Sequence, residues 1–327
     1  MRIEPNKIMC AIDFSEFSRQ VLVYGRSLAK RFEAKLVLCH VVSNMVLVSS
    51  AGQAYIASSR IERERREDAL AGLNAMADEL GFETEVLVVA GHPADTLSET
   101  AAEMDVDLVI AATHGGSGIR RFLVGSVTDR LVKTLACPLM VLHSQENQFF
   151  SLEDEDIGLN RILVGCDFSP DSKLAFDYGL SLAQEFQSEL ILAHVIRPSE
   201  RVQFTSADYI KVQEGDYLGW TPADYLGLQK GTRDKSDEIR TGFIRRIEGQ
   251  LNQMVPEESR NWCTPVTAIL EGEPFSELIR FSDQSRVDLI VLGIHGHGLL
   301  ERFLVGSTTD RVISRGRCPV LAVRDES

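Results

Sequence analysis

None of the six cysteines in this 327-residue sequence belongs to a CxxC pair or stands at a metal-type spacing from a histidine. That argues against a redox or metal centre. Cys10, Cys39, Cys137, Cys166 and Cys318 lie in or beside apolar runs, where a free cysteine behaves as a small core residue and a reducing cytoplasm suits it. No apolar run approaches the length of a transmembrane helix, and the first residues lack the basic, apolar, small-residue layout of an export signal. The expectation is therefore a cytoplasmic protein. Basic residues are in deficit, 34 against 48 acidic, and the formal net charge is −14. Nucleic acid and anionic membrane are thereby disfavoured as main partners, although a local pocket can still hold a phosphate. The Walker pattern GxxxxGK[ST] is missing, and with it the phosphate-binding lysine of that loop.

What the chain does contain, it contains twice. The segment Arg121–Arg130 (RFLVGSVTDR) returns as Arg302–Arg311 (RFLVGSTTDR). Asp13-Phe14-Ser15 returns as Asp167-Phe168-Ser169, His40-Val41 as His194-Val195, and Gly91-His92-Pro93 as Gly272-Glu273-Pro274. The offset is 154 positions up to His194 and 181 from Gly272 onward, so the second copy carries 27 extra residues between them. A period this long marks repeated domains rather than a solenoid. The boundaries expected are 1–146 and 160–327, joined by a polar, acidic linker at 147–159 in which Phe149 and Phe150 are docking residues. The insertion, about 197–238, holds Tyr209, Tyr217, Trp220 and Tyr225 among glycines and reads as loop or short helices. A lid, a contact patch, a small-molecule pocket and a plain surface excursion remain open for it.

Each copy alternates strand and helix through five strands. In the first, Ile8–Ile12 reads as a strand and Ser15 as the N-cap of a helix running to about Phe32. Lys35–Val42, Glu85–Val89, Leu108–Ala112 and Leu139–Leu142 are the further apolar runs. Helices are expected over Arg60–Leu80, ended by Gly81, from Pro93 and from Ser126. Continuous apolar strands alternating with helices predict two tandem doubly wound parallel five-stranded sheets, covered on both faces.

In such a sheet, ligands bind beyond the carboxyl ends of the strands, where the strand order reverses. Asp13 and Asp167 end the first strands; Ala112-Thr-His-Gly115 and Gly293-Ile-His-Gly296 follow the fourth. Gly125-Ser126 and Gly306-Ser307 then open helices whose free N–H groups and positive dipole ends attract anions. Read from the residues alone, this is an anion-binding loop. Ser126 and Ser307 also suit plain N-caps, and Arg121 and Arg302 are as readily solvated as phosphate-bound. His114 and His295 fall in the same crevice, with a backbone-bonded turn histidine as the bland alternative; His40 and His194 read as core histidines whose hydrogen bonds are met.

These motifs together resemble the universal stress protein family, whose ATP-binding members carry G-x2-G-x9-G-[ST]. Gly293, Gly296, Gly306 and Ser307 match that pattern completely, whereas the first copy has Gly115, Gly125 and Ser126 but Ala112 in the first position. The resemblance implies Asp13 and Asp167 at the adenine and ribose, and Val41 and Val195 on the base. It surrounds the phosphates with the glycines and Ser126, Val127, Ser307 and Thr308, and keeps His295 beside them. It also implies ATP, with or without Mg²⁺, as ligand, and an internal pseudo-dimer in which Leu139–Leu142 and Val320–Val323 pair; an unidentified protein partner and a homodimer of whole chains are compatible with it. If the Ala112 position requires φ > 0, alanine costs roughly 1–2 kcal/mol there, about an order of magnitude in affinity; if the local backbone has ordinary φ, alanine is harmless. The second copy is expected to be the better site. No catalytic constellation is evident, so slow hydrolysis at most is expected, with the nucleotide acting as a regulatory ligand. A scaffold that binds no nucleotide and an adenylating enzyme on the same fold are the alternatives.

Overall fold

The computed structural model describes residues 3–43, 46–48, 54–56, 59–113, 125–143, 157–197, 233–295 and 305–324. In the first copy the elements are β1 (Lys7–Ala11), α1 (Ser18–Phe32), β2 (Lys35–Ser43), a small hairpin of β3 (Val46–Val48) and β4 (Ala54–Ile56), α2 (Ser59–Leu80), β5 (Thr84–Gly91), α3 (Pro93–Glu103), β6 (Leu108–Ala112), α4 (Ser126–Thr134) and β7 (Leu139–Leu142). The second copy has β8 (Arg161–Gly165), α5 (Pro170–Phe186), β9 (Glu189–Ile196), α6 (Arg233–Met254), a 3₁₀ turn at Glu257–Asn261, β10 (Thr264–Glu271), α7 (Pro274–Ser285), β11 (Leu289–Gly293), α8 (Ser307–Arg315) and β12 (Val320–Val323).

Ten of these strands form one continuous sheet in the order β10-β9-β8-β11-β12-β7-β6-β1-β2-β5. Each half is parallel and doubly wound, and the halves join antiparallel through β7 and β12, with Met140 opposite Leu321. That seam hides two edges that would otherwise present unpaired backbone groups. The eight inner strands are apolar through their middles because both faces are covered, whereas the edge strands β5 and β10 stay partly exposed. In β1, Ile8 and Cys10 face the layer of α1, α2, α5 and α6, while Met9 faces α3, α4, α7 and α8. Both cores run across the seam.

The halves also exchange short straps. Ile3 N–H donates to Ser181 Oγ of α5 at 2.8 Å, and Ile157 N–H donates to Ser27 Oγ of α1 at 2.9 Å. These are repeat-equivalent pairs, 154 positions apart. The chain ahead of each first strand thus ties down a helix of the opposite copy.

Two sequence expectations change, and one element is added. Helix α1 begins at Ser18 with Phe17 as N-cap, and Ser15 instead folds back onto Asp13; only the second copy uses the expected serine, Ser169, whose Oγ accepts from Ser172 N–H at 3.2 Å. Arg233–Glu238, expected within the insertion as loop or short helix, starts the 22-residue α6. The hairpin β3–β4 was not foreseen. The rest of the insertion from 198 to 232, and Phe149 and Phe150, lie outside the described residues.

All six cysteines are free, and all but Cys137 are buried. Burial pushes the Cys39 thiol up to about 12 and raises Cys10, Cys166, Cys263 and Cys318 as well. A buried thiol with so little thiolate is a poor nucleophile. Iodoacetamide at pH 8 should therefore alkylate Cys137 first in the native chain, and the other five only after unfolding, as read by peptide mass spectrometry. Rapid native labelling of Cys39 or Cys166 would contradict this burial.

Candidate nucleotide-binding site

Strands β1 and β6 are parallel neighbours, as are β8 and β11, and these are the points where the strand order reverses. Asp13 therefore leaves the sheet beside Thr113, and Asp167 beside Ile294. At both places the first strand ends in the same fold-back. Ser15 N–H and Oγ–H donate to Asp13 Oδ1 at 2.9 and 2.6 Å, joined by Ser18 Oγ–H at 3.0 Å. Ser169 N–H and Oγ–H donate to Asp167 Oδ1 at 3.0 and 2.5 Å. The intervening Phe14 and Phe168 take φ of 60° and 64°. That left-handed conformation is an outlier for a bulky residue and costs on the order of 1–2 kcal/mol. Each ring lies against a histidine, Phe14 on His40 at 4.7 Å between centroids and Phe168 on His194 at 5.2 Å. The histidines are satisfied as expected: Nδ1–H of His40 donates to Ile12 O and that of His194 to Cys166 O, both at 2.7 Å. Val41 is buried and Val195 half-buried at the ends of β2 and β9.

The fourth strands deliver the other wall. Gly125 N–H donates to Thr113 O at 2.6 Å and Thr128 Oγ1–H to Ala112 O at 2.7 Å. The second copy repeats both bonds, from Gly306 to Ile294 O at 2.7 Å and from Thr309 to Gly293 O at 2.6 Å. Two bonds per copy thus clamp the N-terminus of α4 or α8 to the end of the strand that borders the first. Gly125 must stay small, because a Cβ there would lie 2.9 Å from Thr113 O. Ser126 and Ser307 occupy the first helical position and are exposed, with Val127 and Thr308 half-buried behind them; neither serine is the N-cap, which is the preceding glycine. The opening N–H groups of such a helix have no intrahelical acceptor, and they converge with the positive end of the dipole. Gly115, Gly296, His114, Arg121 and Arg302 lie outside the described residues.

Of the two alternatives for the first motif position, the structure has the ordinary backbone. Neither Ala112 nor Gly293 has a positive φ. Gly293 is required by contact: a Cβ there would lie 2.6 Å from Asp171 Cβ and 2.7 Å from the Asp171 carbonyl carbon. Asp171 sits in the first turn of α5, buried to 6% exposure. Its Oδ2 accepts both the backbone N–H of His295, at 2.8 Å, and the ring Nδ1–H, at 2.9 Å. A carboxylate only accepts, so Nδ1 carries the proton in this pair. His295 is therefore held by a side chain rather than bonding backbone as a turn histidine. In the first copy the equivalent of Asp171 is Phe17, which is the N-cap of α1 and lies ahead of its first turn. Sequence reasoning missed Asp171. The available signal was that Gly293 and Asp171 change together, to Ala112 and Phe17, between the copies.

Two doubly wound α/β units sharing one sheet, each with a clamped helix N-terminus at its switch point, define the class of protein. The universal stress protein family profile matches residues 5–143 and 158–324, and the chain belongs to that family. The chain is 22% identical over 320 residues to a universal stress protein of Mycolicibacterium smegmatis, covering 97% of this chain and 96% of that one. It is 30% identical over 145 residues to universal stress protein YxiE of Bacillus subtilis, covering 42% of this chain and 98% of the relative. Among solved structures, a universal stress protein from Archaeoglobus fulgidus superimposes with a TM-score of 0.63 at 18% identity, covering 98% of this chain and 99% of that one. Among the described residues, no helix is long and apolar enough to cross a membrane, and no group of three His, Cys, Asp or Glu side chains is placed to hold a metal.

Proposed function

We propose that this chain is a cytoplasmic stress-response protein of two units, 1–146 and 160–327 joined at 147–159, regulated by an adenine nucleotide, with ATP the first ligand to test. The observation that carries this reading is the repeated clamp. Each copy fixes a helix N-terminus, headed by an exposed serine, across the switch point from the aspartate that ends its first strand. The phosphates would meet Gly306, Ser307, Thr308 and Gly296 in the second copy, and Gly125, Ser126, Val127 and Gly115 in the first. Asp167 and Val195, or Asp13 and Val41, would meet the nucleoside. The second copy is proposed as the tighter site because its glycine spacing is complete and Asp171 holds His295 at the start of the loop. No residue is assigned to turnover. Mg²⁺ would travel with the nucleotide rather than occupy a protein site.

A second reading, a scaffold that binds no nucleotide, is favoured by one specific observation. Gly293 is already demanded by its contact with Asp171, so a motif glycine has a packing reason. Calorimetric titration of the nucleotide-stripped chain with ATP, with and without Mg²⁺, separates the two. Ser307→Asp is the diagnostic variant: an acidic first turn suits the helix dipole, yet the carboxylate repels a phosphate. The expected result is saturable binding by the native chain, weakened about tenfold at the tighter site in the variant. Cyclic AMP, the ligand named for one solved universal stress protein, is the second probe. Absence of binding by the folded chain would leave the scaffold reading standing.

A further inference from the structure

Helices α4 and α8 are held at their far ends as well, and there the holding residue comes from the other copy. Arg324, just past β12, donates from Nη2 to Val132 O at 3.0 Å and Lys133 O at 3.2 Å, in the last turn of α4. His143, just past β7, donates from Nε2 to Ile313 O at 2.7 Å, in the last turn of α8. Because a carbonyl can only accept, His143 carries a proton on Nε2 in this bond. The two contacts are repeat-equivalent, since His143 and Arg324 are 181 positions apart, as are Val132 and Ile313. The antiparallel pairing of β7 with β12 makes this exchange possible, because each strand ends beside its neighbour's helix.

We propose that Arg324 is a positioning residue for the anion site of the first copy, and His143 for that of the second. The two sites are then linked in trans through α4 and α8. The proposal rests on the nucleotide reading. Each helix has nine residues, too few to persist unsupported, so its first turn depends on what holds both of its ends. The clamp from Gly125 and Thr128, or Gly306 and Thr309, fixes the N-terminal end at the ligand. At the other end, Arg324 supplies donors to carbonyls that lack intrahelical partners and a cation to the negative end of the dipole. His143 supplies a donor in the same place. Loosening that end frays the helix and disperses the N–H groups that would meet a phosphate. The residues differ in kind: a permanently charged guanidinium bridges two carbonyls, whereas an imidazole reaches one. The first site therefore loses more when its trans partner is removed.

The test weakens one site at a time and reads the two affinities separately. In a Ser307→Asp background, where the second site is weakened about tenfold, Arg324→Gln should weaken ATP binding at the first site about two- to fivefold. In a Ser126→Asp background, where the first site is weakened and the second dominates the titration, the same change should leave the affinity of the second site within error. Arg324→Lys, which keeps the cation, should recover most of the loss. Hydrogen exchange without nucleotide gives an independent readout. Arg324→Gln should speed exchange across 126–134 but not 307–315, and His143→Ala the reverse. Equal effects on both helices, or an effect confined to the variant's own copy, would overturn the proposal by reducing these residues to general support of the seam. If the unaltered chain binds no nucleotide, the ligand reading falls, and the exchange pattern still decides whether the far ends govern the helices.

Discussion

Met140→Ala should destabilise the chain by about 2–5 kcal/mol, the usual range for truncating a fully buried large side chain, and should do so in the copy that does not contain it. Met140 is completely buried in β7, opposite Leu321 of β12, in a core cluster that draws residues from both copies. Both tryptophans, Trp220 and Trp262, belong to the second copy. Urea unfolding followed by tryptophan fluorescence therefore reports on that half. If the sheet and its cores make one cooperative unit, the fluorescence midpoint falls with the substitution and coincides with the midpoint from circular dichroism, with little change in slope. An unmoved tryptophan transition beside a second, earlier one would mean that the halves unfold independently and that the seam contributes little.

Gly293→Ala carries the second large effect, about 1–3 kcal/mol of lost stability from overpacking. The added Cβ would lie 2.6 Å from Asp171 Cβ and 2.9 Å from Asp171 O. Since the obstruction is helix backbone rather than the tip of a flexible side chain, the first turn of α5 must retreat. The two bonds from His295 to Asp171 Oδ2 then lengthen. The reciprocal change, Ala112→Gly, completes the glycine motif of the first copy but relieves no contact of this kind. It should cost up to about 1 kcal/mol through added backbone freedom. Paired urea melts measure the difference. If Gly293→Ala proved as mild as Ala112→Gly, the close approach of α5 to β11 would be refuted.

The asymmetry between the copies shows where sequence reading stopped. The difference between Ala112 and Gly293 is legible in the sequence, which leaves a positive φ and an ordinary backbone both open there. The requirement at Gly293 is a contact with Asp171, 122 positions earlier in the chain. Similarly, Ser15 and Ser169 occupy equivalent positions with identical preceding residues. Only Ser169 caps its helix, because Pro170 starts α5 there while α1 waits until Ser18. His295 looked like a turn histidine because its neighbours in sequence are glycines, and its carboxylate partner is distant in the chain.

Two doubly wound sheets, their five apolar strands, the Pro93 and Pro274 helix starts and the pairing of the last strands were all readable in advance. They are written in local hydrophobic pattern, in turn residues and in the repetition of both. Those signals act between residues close in sequence, or equivalent by repeat, so a linear reading reaches them. The Asp171–His295 pair, the crossed straps from Ile3 and Ile157, and the hold of Arg324 and His143 on each other's helices became visible only in the folded chain. Each joins residues more than 100 positions apart whose identities are individually ordinary. A serine hydroxyl, an arginine after a strand or an aspartate in a first turn has many possible partners. Which one it meets is set by the packing of whole layers across the seam, and that packing is a property of the assembled cores rather than of any segment.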